Sequence, residues 1–76
     1  MSGKPIPQNG SAIREIRERE GLTISQLAND VLISDSHLRN IENEFRPAST
    51  EHLARIAAKL NCSLASIRRV DEAVAS

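Results

Sequence analysis

Residues 23–43 read TISQLANDVLISDSHLRNIEN and predict two short helices joined by a very tight turn. The first helix begins with a capping box, in which the hydroxyl of Thr23 accepts from the N3 amide and Gln26 reaches back. Its buried stripe ends at Val31, and Ser34 offers a new N-cap only three residues later. The spacing therefore predicts a helix pair packed closely about its turn.

The rest of the chain predicts further helices on both sides of this pair and no strand. A first helix is capped by Ser11 and ended by Gly21, because only glycine adopts the left-handed C′ conformation without penalty. A fourth helix is capped by Ser49 or Thr50, and a fifth by Ser63. The predicted fold class is therefore all-α, with five helices.

The expected domain organisation is simple, because 76 residues suit one domain. Residues 1–10 contain two prolines and two glycines and are predicted to form a flexible arm. Residues 11–70 form the helical domain, and residues 71–76 form a tail. Asn61 is expected to end the fourth helix in the left-handed conformation. The expected aliphatic core comprises Ile16, Leu27, Val31, Leu38, Ile41, Leu53, Ile56 and Leu60.

The composition restricts both location and partners. No apolar run approaches the roughly 20 residues that span a bilayer, and the N-terminus lacks the apolar region of a signal peptide. The single cysteine, Cys62, cannot form an internal disulfide. These features predict a cytoplasmic protein without membrane contact. The net charge of zero argues against strong general affinity for nucleic acid, although DNA binding needs only one basic face.

The outer face of the third helix carries side chains that suit a DNA major groove. A tight helix pair leaves this face free to enter the groove. Short polar and bidentate side chains are the types that read base edges by hydrogen bonding. Those on this face are Asp35, Ser36, His37, Arg39 and Asn40.

The stretch from Ala12 to Arg69 resembles the lambda-repressor/Cro-like, Xre-type helix-turn-helix family. Its motifs occur here in the family's order and spacing. They are IREREGLT (16–23), QLA (26–28), IS (33–34), LRNIEN (38–43), RPAS (46–49) and LARIAAKL (53–60).

The resemblance implies a set of functional residues. In the family, base-reading side chains lie at the start of the third helix and one turn later. These positions correspond here to Asp35, Ser36 and His37, and then to Arg39 and Asn40. The family's phosphate contacts come from the start of the second helix and the end of the third. They map to Thr23, Ser25, Asn43 and Arg46. A structural ion pair between the first and third helices maps to Arg17 and Glu42.

Three positions depart from the family pattern. Leu32 occupies a turn position that is often glycine, and leucine in the left-handed region costs about 1–2 kcal/mol. This cost favours a differently built turn. Glu44 stands where glycine is common, and Ile24 stands where a glutamine often contacts phosphate.

Neither catalysis nor metal binding is indicated. The sequence shows no nucleophile–base pair, glycine-rich phosphate loop or carboxylate dyad. His37, His52 and Cys62 do not have the spacing of zinc ligands. We therefore expect no enzyme activity, cofactor, metal or small-molecule substrate.

The resulting functional hypothesis is a small Cro-like or phage-type repressor that binds operator DNA through the major groove. Double-stranded DNA is the expected partner. A homodimer is expected, formed in solution or only on the DNA, with Leu64, Ile67 and Val70 as contact candidates. The alternative is an antitoxin-like or other protein-interaction module on the same fold, which the zero net charge and the acids Asp35, Glu42 and Glu44 would suit.

Overall fold

The predicted helix pair forms the centre of the structure. The computed structural model describes residues 6–69. Helix α2 (Ile24–Asp30) and helix α3 (Asp35–Glu42) pack together about the short connection 31–34. Helix α1 (Gly10–Arg19) packs against α3, and α4 (Thr50–Leu60) is followed by the single-turn helix α5 (Leu64–Ile67). The five helices of residues 6–69 confirm the all-α prediction, and none of these helices is long and apolar enough to cross a membrane.

Each helix begins at a side-chain cap. The caps expected at Thr23, Ser34 and Ser63 are confirmed, and of the two candidates for α4 the cap is Ser49. The full capping box at Thr23 is also present. The expected cap at Ser11 is wrong. The Asn9 Oδ1 accepts from the N–H of Ala12 at 3.0 Å, so α1 begins earlier, at Gly10. Asparagine caps a helix as well as serine does.

The first four helices end in the same left-handed turn, and only one of these turns contains glycine. Positive φ occurs at Gly21, Leu32, Glu44 and Asn61, with values of 76°, 66°, 61° and 57°. The expectation of a different turn at Leu32 is therefore wrong. The Ile33 N–H donates to the Ala28 carbonyl at 3.0 Å. This bond satisfies a carbonyl at the end of α2 and offsets the cost of the left-handed leucine.

The core is aliphatic and joins all five helices. Seven of the eight expected core residues are buried, and Ile16 is only partly buried against them. Ile13 and Ile67 are also fully buried, at 0% exposure. Ile67 is therefore unavailable as a dimer contact, which corrects that expectation, and Leu64 is partly buried against the core. Val70 lies outside the described residues.

Part of the expected N-terminal arm is built into the fold. Gln8 is fully buried and forms an isolated antiparallel bridge with Arg68. The Asn9 N–H donates to the Ile67 carbonyl at 2.8 Å. The Pro7 carbonyl also accepts from the Arg69 N–H at 2.8 Å, so the expected flexible arm is wrong for residues 7–10. Residues 1–5 and the expected tail 71–76 lie outside the described residues.

Gly10 allows α1 to approach the end of α3 closely. A Cβ atom at this position would lie 2.0 Å from the carbonyl oxygen of Glu42. Such a distance is far inside van der Waals contact, so any side chain at Gly10 would push the two helices apart. The relative position of α1 and α3 therefore depends on this glycine.

Candidate nucleic-acid interface

The outer face of α3 is polar and faces away from the core. Leu38 and Ile41 are buried, which fixes the inward direction of the helix. With 3.6 residues per turn, the opposite direction falls on Ser36, Arg39 and Asn40. Ser36 and Arg39 are exposed, and Asn40 is half-buried. Three of the five predicted base-reading residues therefore share the outermost face.

The other two predicted base-reading residues lie at the edges of this face. Asp35 accepts a hydrogen bond from the hydroxyl of Ser25 on α2 at 2.5 Å. The ring of His37 packs edge-on against that of His52 on α4, with centroids 4.9 Å apart and planes at 87°. Each edge residue is thus engaged with a neighbouring helix. Ser25, predicted to bind phosphate, is engaged with Asp35 in the same way.

The remaining predicted phosphate-binding residues are exposed around this face. Thr23 accepts from the Gln26 N–H at 3.0 Å, which leaves its hydroxyl proton free to donate. Asn43 caps the end of α3, and its Oδ1 accepts from the Arg14 guanidinium at 3.2 Å. Arg46 is exposed in the loop after α3, where its side chain has no ion-pair or hydrogen-bond partner within residues 6–69.

Arg14 belongs to the same surface, although the sequence reasoning did not select it. A groove of about 290 Å³ runs between α1, the start of α2 and the end of α3, and its lining includes Arg14, Arg39 and Asn43. Arg14 lies three residues before Arg17 and therefore on the same face of α1. Since Arg17 was already expected to face α3, this spacing could have identified Arg14.

A buried ion pair fixes the third helix against the first. The Arg17 Nε lies 2.7 Å from Glu42 Oε2, and the Arg17 Nη2 lies 3.2 Å from Glu42 Oε1. A third nitrogen of Arg17 donates to the Leu22 carbonyl at 2.8 Å. The pair implied by the family resemblance is therefore present. It holds the end of α3 in a set orientation.

The left-handed turn after α3 is held by a second polar network. The Glu44 carboxylate accepts from the Gly10 N–H at 2.7 Å and pairs with Arg69. The backbone N–H of Phe45 donates to the Asn40 carbonyl at 2.9 Å. The Phe45 ring remains 74% exposed beside this turn. Glu44 therefore links Gly10 and Arg69, which lie near the two ends of the described chain, to the turn after α3.

Charge is distributed unevenly over the described residues despite the zero net charge of the chain. Several cations away from α3 are paired with acids. These pairs are Arg19–Glu15 at 3.7 Å, Arg55–Glu51 at 2.6 Å and Lys59–Asp30 at 3.1 Å. Arg39 and Arg46 have no ion pair to any residue between 6 and 69. Two cations without an ion pair to residues 6–69 therefore lie on α3 and the loop after it, and Arg68, exposed after α5, is another.

Other potential chemistry is sparse in this part of the chain. Within residues 6–69, no cluster of three or more His, Cys, Asp or Glu side chains could hold a metal ion. Cys62 is half-buried after α4, and desolvation by burial raises the pKa of its thiol. A raised pKa lowers the fraction of reactive thiolate at neutral pH.

This architecture defines a class of protein. The chain belongs to the helix-turn-helix family, whose model matches residues 13–67. Among known proteins, it is similar to the competence pilus inhibition repressor of Acinetobacter baylyi. The two are 39% identical over 61 residues, which is 76% of this chain and 53% of that protein. The chain thus spans about half the length of the relative.

Solved structures of bacterial regulators have the same fold. The clp gene regulator ClgR from Corynebacterium glutamicum is 32% identical with a TM-score of 0.72, over 74% of this chain and 60% of that one. SinR of Bacillus subtilis, the master regulator for biofilm formation, was solved in complex with DNA. It is 28% identical with a TM-score of 0.71, over 75% of this chain and 95% of that one.

Proposed function

We propose that this protein is a sequence-specific DNA-binding transcriptional regulator, of the small repressor type, that places α3 in the major groove. The observation that carries the proposal is the exposed face of α3. It presents Ser36, Arg39 and Asn40 on a helix whose opposite face is locked into the core. Arginine pairs bidentately with guanine and asparagine with adenine, so this face has the chemistry of base readout.

The distribution of charge supports the proposal. Phosphate neutralisation needs cations that are not already paired within the protein. Arg39 and Arg46 meet this condition within residues 6–69, and Arg14 lies in the same groove as Arg39. Acids away from this face pair with Arg19, Arg55 and Lys59. Asp35, at the edge of the face, accepts from the Ser25 hydroxyl. A chain of zero net charge can therefore still bind DNA through one surface.

The relatives support a regulatory role. One is a competence pilus inhibition repressor, and another was solved in complex with DNA. We extend these properties to the present chain, including action by binding without catalysis and a cytoplasmic location where DNA is accessible. Thr23, Asn43 and Arg46 are the proposed phosphate-binding residues. Ser25, Asp35 and His37 complete the proposed interface at its edges.

Two copies are proposed to bind one operator. A single module covers only about 600–1,000 Å² of its own surface on DNA, which limits specific affinity. Two copies on an inverted repeat double the contacts. The half-sites then lie about 10–10.5 base pairs apart, centre to centre. Because Ile67 is buried in the core of each protomer, Leu64 is the remaining apolar candidate on α5 for contact between them.

Selection from random duplex DNA tests the proposal directly. The chain is incubated with the pool at low salt, bound duplexes are recovered, and binding is then measured by electrophoretic mobility shift against excess nonspecific DNA. We expect a shared motif that survives competition. If every recovered duplex is lost to competitor, the proposed function is wrong, and the protein-interaction alternative gains support.

A second experiment tests the two-copy arrangement. Inserting about five base pairs between the selected half-sites moves one of them to the opposite face of the duplex. We expect a large loss of affinity for the altered site. Unchanged affinity would show that each copy binds independently.

A further inference from the structure

Gln8 is a buried polar residue whose side-chain amide bonds to backbone groups far along the chain. Its relative exposure is 0%. The Nε2 group donates to the Ile41 carbonyl at 3.1 Å and to the Arg46 carbonyl at 2.8 Å. The Oε1 atom accepts from the Ala48 N–H at 3.0 Å. One side chain therefore ties the last turn of α3 to both sides of Pro47 in the following loop.

Apart from the side chain of Ala48, which is buried in the core, this loop has few other anchors in the described part of the chain. The turn at Glu44 and Phe45 is closed by hydrogen bonds to the last turns of α3. Beyond Phe45, the hydrogen bonds of the Arg46 carbonyl and the Ala48 amide are both to Gln8. The backbone that carries the Arg46 side chain is therefore fixed from the inside of the protein.

Gln8 is itself held in place by the other end of the domain. Residues 6–9 form a strap that runs antiparallel to the segment after α5. The Asn9 N–H donates to the Ile67 carbonyl at 2.8 Å, and the Arg69 N–H donates to the Pro7 carbonyl at 2.8 Å. These two hydrogen bonds flank Gln8 and hold its backbone against the segment after α5, so its side chain meets the loop from a fixed position.

We propose that Gln8 is a positioning residue for DNA binding, which acts by fixing the backbone of Arg46 for its phosphate contact. This inference rests on the proposed function. Gln8 is fully buried and cannot touch DNA, so its effect passes through the loop. Arg46 has a long, exposed side chain with no partner within residues 6–69. A fixed backbone lowers the conformational entropy that this side chain loses on binding.

The test is a double-mutant cycle on the selected duplex. Gln8→Met keeps the approximate length of the side chain and removes all three hydrogen bonds without changing the charge. Affinity is measured over a range of salt concentrations for this variant, for Arg46→Ala and for the double variant. We expect Arg46→Ala to lose affinity and to make the slope of log affinity against log salt shallower by about one. Gln8→Met should show both effects to a smaller extent, because it weakens the same contact. The double variant should lose little more than Arg46→Ala, because both changes act on one contact.

Two controls separate positioning from general destabilisation. Ile56→Val weakens the core without touching the loop, and it should leave the salt dependence unchanged. Gln8→Met combined with Arg39→Ala should lose affinity additively, because α3 is still held by the buried side chains of Leu38 and Ile41 when the Gln8 bond to the helix end is lost. All titrations are run at a temperature where circular dichroism shows each variant folded. If the Met variant does not fold, Gln8→Asn replaces it, with the amide retained but one methylene shorter.

The outcomes are distinct. The positioning role is wrong if the affinity losses of Gln8→Met and Arg46→Ala are additive, or if Gln8→Met keeps the salt dependence of the parent. Either result would leave the proposed DNA binding intact. Failure of the parent chain to bind any selected duplex would overturn the proposed function and this inference together. The proposal is supported if the affinity loss of Gln8→Met is non-additive with that of Arg46→Ala and additive with that of Arg39→Ala.

Discussion

The guanidinium of Arg17 on α1 makes two hydrogen bonds to the carboxylate of Glu42 at the end of α3, and both residues are buried. This pair fixes the helix that carries the proposed DNA-reading face. Arg14 adds a longer contact of 3.7 Å to the same carboxylate. At the end of α3, the buried structural residue Glu42 is therefore followed directly by Asn43, an exposed residue of the proposed interface.

Glu42→Gln should strongly destabilise the fold. Breaking a buried pair leaves the other charge stranded, which costs about 3–5 kcal/mol. Glu51→Gln is the control, because Glu51 forms an exposed pair with Arg55 on α4, and such pairs contribute about 0.2–1 kcal/mol. Urea unfolding followed by circular dichroism gives both values. Equal losses would contradict the structural role of the Arg17–Glu42 pair.

Removing both charges should be less harmful than removing one. In a double variant with Arg17→Met and Glu42→Leu, no charge is left without a partner in the interior. We expect this variant to recover part of the free energy of unfolding that Glu42→Gln loses. A double variant less stable than Glu42→Gln would show that packing, and not a stranded charge, dominates at this site.

Leu32→Gly should be tolerated despite the large change in side chain. Leu32 is 76% exposed and has a φ of 66°. Glycine relieves about 1–2 kcal/mol of left-handed strain and costs about 0.5–1 kcal/mol in chain entropy. The free energy of unfolding should therefore stay the same or rise slightly. Leu38→Ala, in the core, should lose about 2–5 kcal/mol. Similar losses in the two variants would contradict the turn geometry.

Gly10→Ala should destabilise the fold. At an open helical position, alanine is more favourable than glycine by about 1 kcal/mol. Here the added Cβ would lie 2.0 Å from the Glu42 carbonyl oxygen, and overpacking of this kind costs about 1–3 kcal/mol or more. Ser11→Ala, at the next and exposed position, should stay within about 0.5 kcal/mol. A thermal melt in which Gly10→Ala is the more stable chain would disprove the close approach.

The core positions and helix starts that the sequence predicted correctly depend on local sequence pattern. Helical periodicity selected Leu38 and Ile41 for the core, and hydroxyl caps such as Ser34 marked helix starts. The sequence did not predict Gln8, because the three backbone partners of this residue lie 33 to 40 positions away. It also failed at Leu32, where hydrogen bonding at the end of α2 overrides the backbone preference of leucine. The proposed interface rested on the family resemblance more than on local pattern.

Arg46→Ala should weaken binding to all DNA sequences alike. Its side chain lies in the loop after α3, where it is proposed to contact phosphate, and phosphate contacts carry no direct sequence information. The slope of log affinity against log salt should become shallower by about one. Arg55→Ala is the control, because Arg55 is paired with Glu51. A loss confined to one base position would place Arg46 in the groove.

The most direct measurement of the central claim is the base preference of Arg39→Ala. Affinities of the parent and the variant are measured on the selected duplex and on a panel in which each base pair is changed in turn. If α3 reads the major groove, the variant should lose about 1–3 kcal/mol at one base pair and keep the parent's discrimination at the others. A variant that retains the parent's full pattern of discrimination, or that loses affinity equally for every duplex, would contradict sequence reading through Arg39 on α3.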